Sequence, residues 1–114
     1  MNKRDVGTFY EDVAVRYLEE NGVEIIARNY RCRLGEIDLI GRQGKVLIFF
    51  EVKYRKSTNY GSSLQAVDVR KQKQIVRTAK YYLTYDRSDS YIRFDVIGID
   101  NDRVEWIKDA FGAS

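Results

Sequence analysis

Histidine and proline are absent from this sequence, and it contains a single cysteine. Without histidine, neither a Ser-His-Asp nor a Cys-His catalytic arrangement can be built. Zinc sites also need clusters of histidine and cysteine, which the sequence does not offer. A catalytic metal would therefore take oxygen ligands, which favours Mg²⁺ or Mn²⁺. One cysteine cannot form an internal disulfide, so we expect a reducing, cytoplasmic setting.

Long apolar runs are also missing. No stretch approaches the length of a transmembrane helix, and no apolar signal core follows the charged N-terminus, so we expect no membrane partner. The 114 residues suit one domain spanning 1–114. A net charge of +3 and a pI near 9.0 permit a nucleic-acid partner without requiring one.

Hydrophobic periodicity predicts two helices and five strands in the order αβββαββ. Asp5 is the predicted N-cap of the first helix, and "ENG" at 20–22 is predicted to end it, with Gly22 free to take a positive φ. One mixed sheet of about five strands flanked by helices, an α/β fold, is the simplest packing. The predicted ranges are 6–20 (helix), 23–30, 36–41 and 45–54 (strands), 64–85 (helix), and 91–99 and 103–107 (strands).

Four charged side chains interrupt the two most apolar predicted strands. They are Glu36 and Asp38 in the second strand, and Glu51 and Lys53 in the third. Because side chains alternate along a strand, a hairpin of these strands puts all four on one side. Two carboxylates about 4 Å apart repel by roughly 4 kcal/mol at an effective dielectric near 20. A bound divalent cation would relieve that repulsion.

The register of this hairpin follows from its turn. A two-residue turn at Gln43–Gly44 places Glu36 directly opposite Glu51. The same alternation assigns Ile37 and Leu39 together to the other face.

Such a cluster has a use in phosphodiester hydrolysis, where a cation polarises the phosphoryl oxygens and lowers the pKa of the attacking water. Asp38 and Glu51 are candidate metal ligands, with the backbone carbonyl of Val52 completing the shell. Lys53 is placed to orient the water or to neutralise charge on the phosphate. Glu11, on the first helix, is a further candidate ligand. The alternative is a cross-strand ion pair on a solvated face, although the apolar "VLIFFEV" around Glu51 favours burial.

Several motifs together resemble the bacterial YraN-like family, almost from end to end of the chain. They are "GTFYEDVAVRYLEENG" (7–22), "GEIDLI" (35–40), "FFEVKYR" (49–55), "RFDVIGI" (93–99) and "AF" (110–111). The pattern of that family in turn looks like the PD-(D/E)xK nuclease superfamily, which includes archaeal Holliday-junction resolvases and many restriction enzymes.

The resemblance implies a restriction-endonuclease-like core that hydrolyses DNA phosphodiester bonds with Mg²⁺ or Mn²⁺, on branched or single-stranded DNA as candidate substrates. The superfamily's Asp falls on Asp38, its Asp/Glu on Glu51, its Lys on Lys53 and the resolvase helix glutamate on Glu11. The glycine usual before that glutamate is replaced by Tyr10. Because resolvase relatives act as dimers, a homodimer is a further candidate partner.

Three other polar residues have open roles. Glu36 is a candidate second-shell ligand, or a partner for Arg31 or Arg33. Lys71, on the apolar side of the second helix, either contributes to the site from the second shell or belongs to a solvated helix end. Asp95 is predicted to be a buried polar anchor paired with an arginine.

Candidate DNA contacts lie in the polar loop and on the second helix. Three loop residues would lie at the rim of the site, where they could bind the nucleic-acid backbone or stack on a base: Arg55, Lys56 and Tyr60. Lys73 and Arg77 belong to a basic helix face that could follow phosphates, although such faces are commonly only solvated. The alternatives to a nuclease are a nucleic-acid-binding module that does not cut and, more weakly, a protein-interaction domain.

Overall fold

The computed structural model describes residues 2–55, 67–86, 91–101 and 103–112. The elements are α1 (Lys3–Glu20), β1 (Glu24–Cys32), β2 (Gly35–Gln43), β3 (Val46–Arg55), α2 (Val69–Leu83), β4 (Tyr91–Asp100) and β5 (Arg103–Phe111). This order and the single five-stranded sheet confirm the predicted α/β class. Among the described helices, none has the length and apolar character needed to cross a membrane.

The strands lie side by side in chain order, β1-β2-β3-β4-β5. Among the strands that the structure describes, β3 and β4 pair in parallel and the other neighbours are antiparallel, so the sheet is mixed as predicted. A parallel pair needs a crossover connection, and the segment that contains α2 provides it. Because β3 is central and covered on both faces, its sequence is a nearly continuous apolar run rather than an alternating one.

Two hydrophobic clusters separate the helices from the sheet, one on each face. The cluster beneath α1 consists of Ala14, Leu18, Val23, Leu39, Ile48, Phe50, Ile97 and Ile99. The cluster beneath α2 consists of Ile37, Ile40, Leu47, Phe49, Ile75, Val76, Ala79 and Phe94. The sheet is therefore the middle layer of three, and each helix is fixed to it by buried aliphatic and aromatic side chains.

Helix α1 begins one turn earlier than predicted. The side chain of Asn2 accepts a hydrogen bond from the backbone N–H of Asp5 at 2.9 Å, so Asn2 is the N-cap and the assignment of that role to Asp5 is wrong. At the other end, Gly22 has a φ of +87°, which confirms the predicted left-handed residue after the helix.

The β2–β3 turn also differs from the prediction. Gln43 pairs with Val46, so the two turn residues are Gly44 and Lys45, and Gly44 has a φ of +60°. From this turn the pairing of β2 with β3 runs as far as Leu39 opposite Phe50. In this register Glu36 does not lie opposite Glu51. The predicted register is therefore wrong, and the observed one brings Asp38, instead of Glu36, across from Glu51.

Asp95 is a fully buried carboxylate in β4 that ties β4 to β5. It accepts hydrogen bonds from the Arg93 guanidinium at 2.8 Å, the Trp106 indole N–H at 2.9 Å and the backbone N–H of Asp109 at 2.8 Å. The prediction of a buried anchor paired with an arginine is confirmed. Asp109 itself has a φ of +56°, so the carboxylate also stabilises an irregular backbone in β5.

Replacing Asp95 by alanine is expected to lower the free energy of unfolding by about 3–5 kcal/mol, because it leaves the half-buried Arg93 guanidinium and two N–H groups without their acceptor. Urea unfolding followed by Trp106 fluorescence measures the change. Asp12→Ala is the control, since it removes an exposed carboxylate paired with Arg28 and should cost about 1 kcal/mol or less. Equal losses in both variants would contradict the proposed anchoring by Asp95.

Candidate functional site

The candidate site lies where β2 and β3 separate. Their pairing ends at Leu39 and Phe50, after which β2 continues with β1 and β3 with β4. Beyond this point the backbone N–H of Val52 donates to Oδ2 of Asp38 at 2.8 Å. A side-chain carboxylate thus takes the position where a backbone carbonyl of β2 would continue the sheet, and Asp38 is held in the gap between the strands.

A local irregularity in β1 and β2 accompanies this position of Asp38. Ile37 and Ile40 pack in the cluster beneath α2, whereas Leu39 packs beneath α1. The prediction that Ile37 and Leu39 share a face is therefore wrong. Asn29, which lies across from Asp38 in the β1–β2 register, has a φ of +52°, a conformation that asparagine tolerates better than most residues. The regular alternation of side chains between the two faces of the sheet is therefore interrupted at Asp38 and Asn29.

Glu51 is buried beside Asp38, and its relative exposure is only 8%. The pKa of Glu51 is raised to about 8, first by burial and then by the charge of Asp38 and a hydrogen bond with the Asp38 carboxyl group, while Lys71 and Lys53 oppose the shift. At neutral pH Glu51 therefore holds a proton. In the protein alone, this proton relieves the carboxylate repulsion that the sequence predicts.

Two lysines act on Glu51 from different elements. The Nζ atom of Lys71 lies 3.8 Å from Oε2 of Glu51, and its backbone N–H is fixed by the N-cap of α2, Asp68, at 2.8 Å. Lys53 is half-buried two residues beyond Glu51 in β3, and its charge lowers the pKa of Glu51. The structure thus brings Lys71, a candidate from the sequence, into direct contact with the site.

Glu11 lines the same cleft from α1. The cleft has a volume of about 190 Å³ and is lined by Gly7, Tyr10, Glu11, Asp38, Glu51, Val52 and Tyr54. Oε1 of Glu11 accepts a hydrogen bond from Nδ2 of Asn29 at 2.8 Å and lies 3.8 Å from the Arg28 guanidinium. Burial raises the pKa of Glu11, the Asn29 hydrogen bond opposes that change, and the charge of Asp38 adds to it. Asn29 and Arg28 therefore hold Glu11 close enough to Asp38 for the two carboxylates to interact electrostatically.

The donor set suits a hard cation with few protein ligands. No three acidic or cysteine side chains within the described ranges gather closely enough to share one ion. Asp38 and Glu51 nevertheless lie together, and the carbonyl of Val52 points to the same gap as its N–H, because both groups of one strand residue face the same neighbour. Mg²⁺ commonly takes one or two carboxylates and completes its shell with water and phosphate oxygens. These residues fit such an ion, and a ligand role for Glu11 stays a prediction.

Glu36 lies outside this cleft. Its carboxylate is ion-paired with Arg31 on β1, the alternative that the sequence left open beside a second-shell role. Its backbone carbonyl faces Gln74 of α2, whose side-chain amide nitrogen lies 3.4 Å away. Glu36 therefore links β2 to β1 and α2. Its negative charge also contributes to the raised pKa of Glu11.

The predicted DNA contacts fall into two groups. Lys73 and Arg77 are exposed on α2 and line a shallow groove with Val69 and Lys80, on the opposite side of the sheet from α1. They are not brought together with the carboxylates. Arg55 ends β3, and Lys56 and Tyr60 lie outside the described residues.

Fold and cleft together define an α/β protein in which paired carboxylates, contacted by lysine, lie where two strands of a mixed sheet separate. The chain belongs to the Uncharacterised protein family UPF0102, whose profile matches residues 10–99. This is the YraN-like family that the motifs resemble.

Relatives of this family match nearly the whole chain. A UPF0102 protein of Lachnoclostridium phytofermentans is 45% identical over 115 residues, covering 99% of this chain and 98% of its own length. One from Legionella pneumophila strain Corby is 43% identical over 114 residues, covering 96% of this chain and 97% of its own. One from Shewanella loihica is 46% identical over 101 residues, covering 89% of each.

Proposed function

We propose that this protein is a metal-dependent nuclease with a restriction-endonuclease-like core that hydrolyses DNA phosphodiester bonds. The observation that carries the proposal is the meeting of Asp38, Glu51 and the Val52 backbone in a cleft at the separation of β2 and β3. The order of the motifs along the chain, which resembles that of PD-(D/E)xK nucleases, assigns the same residues to the site.

In this proposal Asp38, Glu51 and the carbonyl of Val52 hold Mg²⁺ or Mn²⁺. The ion supplies polarisation of the phosphate and a lowered pKa for the attacking water. Asp38 is fixed by the Val52 N–H, and loss of the Glu51 proton would remove the hydrogen bond between the two carboxyl groups and leave Asp38 able to accept a ligand. Glu51 must release its proton to bind a cation. Lys53 and Lys71 add positive charge that favours this release and that can stabilise negative charge on the phosphate.

Cleavage of defined DNA substrates tests the proposal. Labelled duplex, single-stranded, flap and four-way-junction DNAs are incubated with the purified protein in Mn²⁺, Mg²⁺ or EDTA. We expect metal-dependent cleavage of at least one substrate by the wild type and none by Asp38→Asn purified in parallel. Binding without cleavage in every metal would instead support a nucleic-acid-binding module. Cleavage that persists in EDTA or in Asp38→Asn would show that the activity does not come from this cleft.

Metal binding should stabilise the protein in a pH-dependent way. Because the proton on Glu51 competes with the ion, millimolar Mn²⁺ should raise the melting temperature more at about pH 8.5 than at about pH 6.5. An ion concentration that contributes about 1 kcal/mol should raise it by about 4–8 °C. Differential scanning fluorimetry measures the shift.

Two variants check the origin of this shift. Asp38→Asn should lose most of it, whereas Asp12→Asn, which changes an exposed carboxylate outside the cleft, should retain it. A wild-type shift that Asp38→Asn reproduces in full would place the ion elsewhere.

A further inference from the structure

An aromatic cluster forms one wall of the carboxylate cleft. The rings of Tyr10 and Tyr54 stack with centroids 4.3 Å apart and planes at 11°, and both residues line the cleft. Phe9 lies edge-on to Tyr10, with centroids 5.2 Å apart. Tyr54, which lines the cleft with Asp38 and Glu51, is 39% exposed, and Phe9, which contacts Tyr10 outside the cleft lining, is 52% exposed. The cluster therefore presents aromatic surface to solvent at the edge of the cleft.

A basic cleft adjoins the carboxylates on the other flank of α1. It has a volume of about 450 Å³, and its charged lining consists of three cations, Lys3, Arg4 and Arg31, and two carboxylates, Glu11 and Glu36. Arg31 is paired with Glu36, but neither Lys3 nor Arg4 is ion-paired with any carboxylate in the part of the chain that the structure describes. Two cations next to an acidic site are thus available to phosphate groups.

Gly7 joins the two clefts. Both are lined by Gly7 and Glu11, so they adjoin each other along α1. A methyl group at Gly7 would meet no atom within 4 Å, which means that the space above it is open. Glycine weakens a helix relative to almost any other residue, and its position in α1 leaves a passage between the basic and the aromatic flanks.

We propose that the two flanks bind an unpaired strand of nucleic acid across the carboxylate cleft. A base stacks on the exposed aromatic surface of Phe9 and Tyr54, and the backbone crosses Gly7 so that phosphates on the other side meet Lys3 and Arg4. Aromatic platforms combined with a cationic groove are the general means of holding single strands, because every base has a face to stack. The inference rests on the proposed nuclease site and names its substrate class: single-stranded or locally unpaired nucleic acid.

Binding measured in EDTA tests this inference apart from catalysis. Fluorescence anisotropy compares a labelled oligothymidylate of about 12 nucleotides, enough to cover one such groove, with a duplex of equal length. The wild type should bind the single strand more tightly. Phe9→Leu should weaken that binding by about five- to hundredfold, the loss expected for one stacked base. Gly7→Leu should weaken it by about tenfold or more by closing the passage, while its melting temperature stays equal to or above that of the wild type.

Tyr91→Leu is the matched control, because Tyr91 is 73% exposed at the far end of the β3–β4 pair, and this variant should bind as the wild type does. Preference for duplex, no single-strand binding, or equal binding by Phe9→Leu, Gly7→Leu and the wild type would overturn the inference. The aromatic-dependent binding described above, without cleavage in any metal, would uphold the inference and defeat the proposed nuclease. Cleavage of duplex DNA that is unaffected by Phe9→Leu would support the proposed nuclease and overturn the inference about single strands.

Discussion

Replacing Lys53 by methionine is expected to reduce the rate of phosphodiester cleavage by roughly 10²–10³, the loss typical of deleting one electrostatic stabiliser. Methionine keeps the aliphatic stem and removes only the charge. DNA binding should stay close to that of the wild type, and metal binding should be unchanged or tighter because a nearby cation is gone. Single-turnover cleavage and metal titration of the same preparations measure both effects.

The structure provides a matched variant for this experiment. Lys71 contacts Glu51 at 3.8 Å, but its side chain is 41% exposed, so the pair is partly screened by solvent. Lys71→Met should therefore lower the rate by about tenfold or less, whereas Asp38→Asn should lose metal and cleavage together. A larger loss of cleavage rate in Lys71→Met than in Lys53→Met would show that Lys71, rather than Lys53, is the main electrostatic stabiliser. Unaltered cleavage by Lys53→Met would show the assignment to be wrong.

The elements and the site cluster could be predicted because each depends on a local pattern. The period of apolar residues indicates the strands, and charges inside apolar strands are rare enough to identify Glu51 and Asp38 as unusual. The exact pairing could not be predicted in the same way. Around Gly44 a two-residue turn can begin at Gln43 or at Gly44, both loops contain the glycine, and sequence alone does not choose between them.

Other features depend on tertiary contacts. A strict alternation of side chains predicted the faces of β2, but that alternation changes at Asp38 and Asn29. The signal was present, since asparagine is disfavoured in strands and tolerates positive φ, so Asn29 inside a predicted strand indicated an irregularity. The contact of Lys71 with Glu51 depends on how α2 packs on the sheet. The basic cleft at Lys3 and Arg4 depends likewise on the earlier start of α1, which the prediction missed.

Replacing Glu51 by glutamine is expected to stabilise the metal-free protein at alkaline pH. The pKa of Glu51 is about 8 in the folded protein, against a usual value of 4.5, so folding retains a proton that the unfolded chain releases. Its contribution to stability is full below about pH 4.5, declines as the pH rises, and is lost above about pH 8, with a limiting slope of about 1.4 kcal/mol per pH unit. Glutamine is neutral throughout and removes that decline. At about pH 8.5, Glu51→Gln should therefore exceed the wild type in free energy of unfolding by about 4–5 kcal/mol.

Urea unfolding between about pH 5 and pH 9 in EDTA measures this difference across the window in which Glu51 titrates. Glu20→Gln, at the exposed end of α1, is the control and should follow the wild-type dependence on pH. Adding Mn²⁺ to the wild type should restore stability at alkaline pH, because Asp38 and Glu51 would hold the ion and its charge would offset their repulsion. Mn²⁺ should do little for Glu51→Gln, which gives up one of the two carboxylates. Parallel pH curves for Glu51→Gln and the wild type would show that Glu51 does not carry a retained proton, and the link between that proton and metal binding would fail with it.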